Sequence, residues 1–161
     1  MLNPQQLRLF VIRPAIKHIG LWSLSAENLV LGTAITESSL SELDQGGDLS
    51  PGPAFGLWQM ERATYVDIWE NFLVYQLELS KLVRGLTPWQ AAIPPIEELY
   101  GNLFFASAMA RVHYRRVAAP LPKSDDYLEM AKYWKQHYNT PKGKGSADDP
   151  RVLKAFKRAC L

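Results

Sequence analysis

Apolar residues along this chain recur every three or four positions, the spacing of one helix face, and alternation is confined to short pieces near 55–60. Asn3 followed by Pro4 starts a first helix carrying Leu7, Phe10 and Val11, which Pro14 must kink or restart. Ser25 caps a second helix that runs through Leu29, Val30 and Ile35 to about Ser38. Residues 41–55 are a loop with adjacent glycines, prolines, Asp44 and Asp48. Helices are expected over 62–72 and 77–84, with Gly85 as a stop, and Pro88, Pro94 and Pro95 mark a connector. The longest helical pattern spans about Ile96 to Val117, with Leu99, Leu103, Ala106, Ala110 and Val117 on one side, and Pro120 and Pro122 end it. Ser124 begins a helix to about His137. A Gly/Lys linker over 142–146 leads to Asp149-Pro150, which opens a last helix ending in Lys154, Lys157 and Arg158.

Composition adds limits to this helical picture. At 161 residues, 47% hydrophobic and 21% charged, the chain fits one globular domain. A net charge of +2 is too small to point to nucleic acid, so none is expected as a partner. Cys160 is the only cysteine, which excludes an internal disulfide. No apolar run is long enough to span a bilayer, so no membrane insertion is expected. Met-Leu-Asn-Pro at the start lacks the basic and apolar regions of a signal peptide.

The candidate chemistry centres on Glu37. It falls in the last turn of an apolar helix, where the negative end of the helix dipole disfavours a second negative charge and apolar neighbours disfavour it further. Both effects keep a carboxyl protonated near neutral pH, as a general acid for glycosidic bonds must be. About twenty residues later Gln59 lies between Trp58 and Met60, with Gly56 before it. A glutamine in that apolar setting must find partners: sugar groups in a cleft, or its own backbone in a tight turn. Gly56 would allow a ligand to approach the backbone.

Ala34-Ile-Thr-Glu37-Ser38, then Gly56-Leu57-Trp58-Gln59-Met60 and Ala63-Thr64, resembles the lytic transglycosylase and goose-type lysozyme family. Tyr138-Asn139 with Gly143 resembles that family's third signature, and Gly101-Asn102-Leu103 through Ala110 its Asn-led helix. The similarity covers roughly residues 25–145. The stretch from Trp134 to Pro141 is also similar to lysozyme-like proteins of tailed bacteriophages.

The resemblance implies an all-α, lysozyme-like single domain over 1–161, with 146–161 as a C-terminal helix and any β structure confined to a hairpin-like piece around 40–60. It implies cleavage of the β-1,4 bond between N-acetylmuramic acid and N-acetylglucosamine in peptidoglycan glycan strands, without a cofactor or metal. The setting would be a phage virion, among other virion proteins, or the host cytoplasm before delivery to the periplasm. Glu37 would be the catalytic acid and then base. Ser38, Gln59 and Asn139 would position the sugar, Tyr138 would contact the reacting centre or Glu37, and Gly56 and Met60 would belong to the same wall. Trp58 replaces the usual methionine and is expected to stack on a sugar ring. Glu61-Arg62 and Thr140-Pro141 also depart from the family pattern.

A second carboxylate would make the enzyme an inverting hydrolase. Asp44 and Asp48 are the candidates, but a Gly/Asp loop is poorly suited to fixing a base, so single-acid chemistry with a 1,6-anhydro product is expected. A non-catalytic virion protein with the same fold is the alternative. His18, His113 and His137 lack metal-ligand spacing and read as surface or satisfied side chains, and Arg111, Arg115 and Arg116 with Tyr114 read as a solvated basic helix face.

Overall fold

The computed structural model describes residues 1–46, 52–140 and 142–161. Within them the chain is mostly helical, with one small sheet. Helix α1 (Pro4–Leu7) is capped by Asn3, whose Oδ1 accepts from the Gln5 and Gln6 N–H groups at 2.9 and 3.2 Å. A wide π turn over Arg8–Ile12 follows, closed by the Arg13 N–H on the Arg8 carbonyl, and α2 (Arg13–His18) continues from it. Pro14 has no N–H to give and its ring crowds the turn before it. The wide turn carries the helical path past that ring.

Helix α3 (Leu24–Ser38) is capped by Ser23 rather than Ser25, because the Ser23 Oγ reaches the Ala26 N–H at 3.0 Å. Strands β1 (Ala54–Phe55) and β2 (Met60–Glu61) pair antiparallel around a Gly56–Gln59 turn. Then come α4 (Arg62–Asn71), a short 3-10 turn, and α5 (Leu77–Arg84). The expected Ile96–Val117 helix is broken. Asn102 is extended (φ −140°, ψ 98°) between α6 (Glu98–Gly101) and α7 (Leu103–Arg115), and its side chain accepts from the Phe105 N–H at 3.1 Å. Asn side chains compete with the helical backbone in this way, so the residue ends one helix and starts the next. Helix α8 (Tyr127–Trp134), capped by Asp126 and not Ser124, passes into a second π turn over Lys135–Asn139. Asp149 caps α9 (Pro150–Ala159).

Two hydrophobic clusters share α7. Ala106, Ala110 and Tyr114 face the first, with Leu29, Val30, Trp134 and Phe156. Phe105, Ala108, Met109 and Val112 face the second, with Tyr65, Ile68, Trp69 and Val83. Each set follows the three-four spacing of one helix face, so α7 is buried on both sides. Helix α3 is buried from Ala26 to Ala34 and packs against α9. Gly32 makes that approach close: a Cβ there would lie 2.3 Å from the Phe156 ring.

Burying α3 also buries Glu27. Its carboxylate accepts from Arg13 at 2.8 and 2.9 Å, Arg8 at 2.9 Å and the Trp22 indole at 2.7 Å. Burial opposes the charge, but the hydrogen bonds from Arg13, Trp22 and Arg8 and the Arg13 charge outweigh it and bring the Glu27 pKa down to about 2. Arg8 also donates to Asn28 and to the Ala159 carbonyl, tying the first helical segment to the end of α9. No described helix is long and apolar enough to cross a membrane.

Candidate active site

Glu37 stands in the last turn of α3, partly buried, and its Oε1 accepts from the Trp134 indole N–H at 2.8 Å. Burial raises its pKa to about 7, against the pull of that hydrogen bond. The carboxyl group therefore keeps a protonated population at neutral pH that a solvated glutamate lacks.

Two cavities meet at this side chain. One, of about 480 Å³, is lined by Gln59, Met60, Glu61, His113, Tyr138 and Asn139 together with Glu37. The other, of about 470 Å³, lies along α9 and includes Thr36, Trp134 and Val152. Glu37, Asn139 and Gly145 line both, so the two form arms of one cleft with the acid at the junction.

The segments around the junction are held in uncommon conformations. Ser39 (φ 51°), Leu40 (φ 58°), Gln59 (φ 46°) and Thr140 (φ 70°) are the positive-φ residues other than glycine among the described residues. All four belong to the three segments that carry Glu37, Gln59 and Asn139. Such residues persist only where the surroundings over-determine them, and they cluster at functional sites. The π turn that presents Tyr138 and Asn139 is a feature of the same kind.

The structure brings Glu37, Gln59, Met60, Tyr138 and Asn139 together and removes three expected residues from the cleft. Trp58 is 1% exposed, and its indole donates to the Val30 carbonyl at 2.9 Å. It fills the core instead of stacking on a sugar, because its N–H finds a carbonyl on buried α3. Ser38 is buried, with its hydroxyl spent on the Ala34 carbonyl (3.0 Å) and the Leu40 N–H (3.2 Å). It shapes the left-handed turn after Glu37 and does not touch the cleft. Gly56 (φ 76°) faces the chain itself: a Cβ there would lie 2.0 Å from the Leu99 carbonyl oxygen.

The remaining side chains are partly engaged. Gln59 donates through Nε2 to the Gly56 carbonyl at 2.8 Å, so the turn satisfies half of its amide while the residue lines the cleft. Asn139 Oδ1 accepts from Lys135 Nζ at 2.8 Å, which holds its amide plane. Tyr138 donates to the Trp58 carbonyl at 2.7 Å and makes no hydrogen bond to Glu37. Burial first, then the Glu37 charge, raises its phenol far above the usual range, so it stays protonated. Tyr114 is raised likewise. Thr33 already donates to the Leu29 carbonyl, so Tyr114 donates to Thr33, at 2.7 Å.

Two residues that matter here escaped the sequence reading. Trp134 reads as core by composition, and only the fold reveals that its N–H meets Glu37; its place four positions before Tyr138 was the available signal. His113 is a buried histidine and not a surface one. It is stacked on Tyr138 (centroids 4.6 Å apart), with Nδ1 lacking a partner in the described structure. Burial, then the Arg116 charge, lowers its pKa to about 4, so it is neutral in the cleft wall.

Of the carboxylates proposed as a second group, Asp44 is engaged in accepting from the Gly46 and Gly52 N–H groups. Asp48 lies outside the described residues. Glu61 is the other carboxylate on the first arm among the described residues. The expected basic face also dissolves: Arg111 is buried and donates to the Leu21 carbonyl at 3.0 Å, and Arg116 pairs with Asp67 at 2.6 Å. Among the described residues no group of three or more His, Cys, Asp or Glu side chains is placed to hold a metal ion. No protein-family model, curated protein or solved structure matches this chain.

Proposed function

We propose that this protein is a lysozyme-like, peptidoglycan-cleaving enzyme that cuts the β-1,4 bond between N-acetylmuramic acid and N-acetylglucosamine by lytic transglycosylation. The observation that carries the reading is Glu37: a single carboxyl with its pKa raised to about 7, set where two arms of a cleft meet. Such a group gives up a proton readily and takes it back at neutral pH. The three sequence signatures supply the substrate class, and the phage setting rests on the similarity of residues 134–141.

In the proposed reaction the Glu37 carboxyl protonates the bridging oxygen as the C1–O4 bond breaks, and the leaving sugar departs with a free 4-hydroxyl. The neighbouring acetamido oxygen stabilises the cation at C1. The Glu37 carboxylate then takes the proton of the 6-hydroxyl as O6 bonds to C1, which restores the acid and leaves a 1,6-anhydro end. Gln59 and Asn139 are suited to orienting sugar hydroxyl or acetamido groups through their amides.

Hydrolysis is the second reading, and Glu61 on the same arm favours it, since a second carboxylate can activate water. Digestion of purified peptidoglycan, with mass analysis of the products and Glu37→Gln as control, tests both. Anhydro ends support transglycosylation, products heavier by one water support hydrolysis, and no cleavage by the wild-type chain points to a non-catalytic glycan-binding role.

A further inference from the structure

The arm along α9 has a chemistry that glycan cleavage alone does not require. Its floor includes apolar side chains, among them Val152 and Ala155, while Arg151, Lys154 and Arg158 stand on its rim. The helix explains the division. Positions 151, 154 and 158 fall on one face, and Val152, Phe156 and Ala159 are buried on the other. Asp149, the carboxylate on this arm besides Glu37, is paired with Arg151 at 3.1 Å. Lys154 and Arg158 make no ion pair among the described residues. Thr36 also lines this arm, and its buried Oγ1 has no hydrogen-bond partner in the described structure. Exposed cations beside a partly apolar trough leading to the acid suit an anionic chain with short aliphatic side groups.

We infer that the α9 arm binds the carboxylate-bearing peptide stem attached to the muramic acid next to the scissile bond, with Lys154 and Arg158 as its anion contacts. This rests on the proposed peptidoglycan reading and deepens it. The stem branches from the sugar whose C1 reacts, so a trough that opens beside the acid lies where the stem must leave the glycan. Its alanine methyl groups would meet the apolar floor, and its carboxylates the cationic rim. The protein therefore discriminates stem-bearing from peptide-free glycan. The contacts are exposed, so the discrimination is electrostatic and weakens as salt shortens the screening length.

The test compares intact peptidoglycan with glycan strands stripped of peptide by an amidase, using the full chain and Lys154→Glu/Arg158→Glu. The wild type is expected to cut stem-bearing strands about tenfold faster at low salt, a preference on the scale of two charge-assisted contacts. Charge reversal should bring the two rates to within about twofold, and added salt should do the same to the wild type. Equal wild-type rates, or a preference that survives charge reversal, would overturn the inference. Calorimetry with Glu37→Gln separates it from the catalytic reading. A disaccharide carrying a tetrapeptide should bind about tenfold more tightly than the bare disaccharide, whether or not the wild type cleaves. Equal binding rejects the stem site, while absent cleavage with unequal binding rejects only the catalysis.

Discussion

The indole N–H of Trp134 donates to Oε1 of Glu37 at 2.8 Å, joining residues 97 positions apart in the chain. Burial pushes the Glu37 acid toward its neutral form while the indole holds back part of that rise. Removing the indole N–H with Trp134→Phe should therefore raise the Glu37 pKa further. The fall in kcat/KM on the alkaline side, centred near the wild-type pKa of about 7, should move to higher pH. A pH–rate profile measures this, and a limb that stays in place or moves down would show that Trp134 does not tune the acid.

Glu37→Gln should lower cleavage by about 10²–10⁴-fold, the range for a lost general acid. Its effect on stability depends on pH. The unfolded side chain titrates near 4.5 and the folded one near 7. Between those values the unfolded state gives up its proton first, so wild-type stability declines as pH rises and is level outside the window. At about 1.4 kcal/mol per unit the loss amounts to roughly 3 kcal/mol by pH 8. The variant lacks this loss. Urea denaturation at pH 4 and pH 8 should find the two proteins similar at the lower pH and the variant more stable at the higher.

Glu27 shows the opposite sign. Its folded pKa is near 2 against 4.5 unfolded, so its contribution is complete above about 4.5 and is lost as pH falls toward 2. Glu27→Gln should destabilise by about 3–5 kcal/mol, because Arg8 is left buried without its counter-charge. Thermal melts at pH 7 check the magnitude. A change under about 1 kcal/mol would mean the arginines find other partners.

Neither of the two acidic residues near the cleft should change the product. Asp44→Asn should weaken its contacts with the Gly46 and Gly52 N–H groups without changing the product. Glu61→Gln should likewise leave 1,6-anhydro ends if Glu37 works alone. A wild-type product bearing water, together with a rate loss of about 10²-fold or more in Glu61→Gln, would assign Glu61 as the base of a hydrolase.

Thr140 has φ 70° and ψ 154°, a region that suits glycine and strains a β-branched residue. Thr140→Gly should raise stability by about 1 kcal/mol, the relief of strain less the entropy glycine adds to the unfolded chain. Denaturant midpoints measure it, and a loss of stability would mean that the threonine side chain contributes more than its backbone strains.

Glu37 was legible in the sequence because its position needs only local information: an apolar helix and the place where it ends. Tyr138 and Asn139 were legible through the order of short motifs. The roles of the two tryptophans were not, since composition treats the indoles alike and tertiary partners decide them. Both are core side chains, but Trp58 gives its N–H to a carbonyl of buried α3, while Trp134 gives its N–H to a carboxyl and so also lines the site. The break at Asn102 was hidden because the apolar pattern runs through it, and only the side-chain cap shows that the backbone leaves the helix. Both π turns are one-residue shifts in hydrogen bonding that leave no mark on periodicity. The buried role of Glu27 leaves no mark in the sequence, because a charged residue early in a helix ordinarily faces solvent and only the fold brings Arg8, Arg13 and Trp22 onto it.

Helix α7 gives one side chain set to each hydrophobic cluster and keeps no face for water between Phe105 and Tyr114. A wall shared by two rooms cannot be removed from one alone. Neither cluster can unravel while the other stays intact, so the chain should melt in one cooperative step, with the α7 amides the last to exchange their hydrogens for deuterium. On the proposed reading, a glycan strand then has to reach Glu37 without the clusters swinging apart. Its path runs past Gln45 and Lys142 to Gly145, which line the first arm beside the acid.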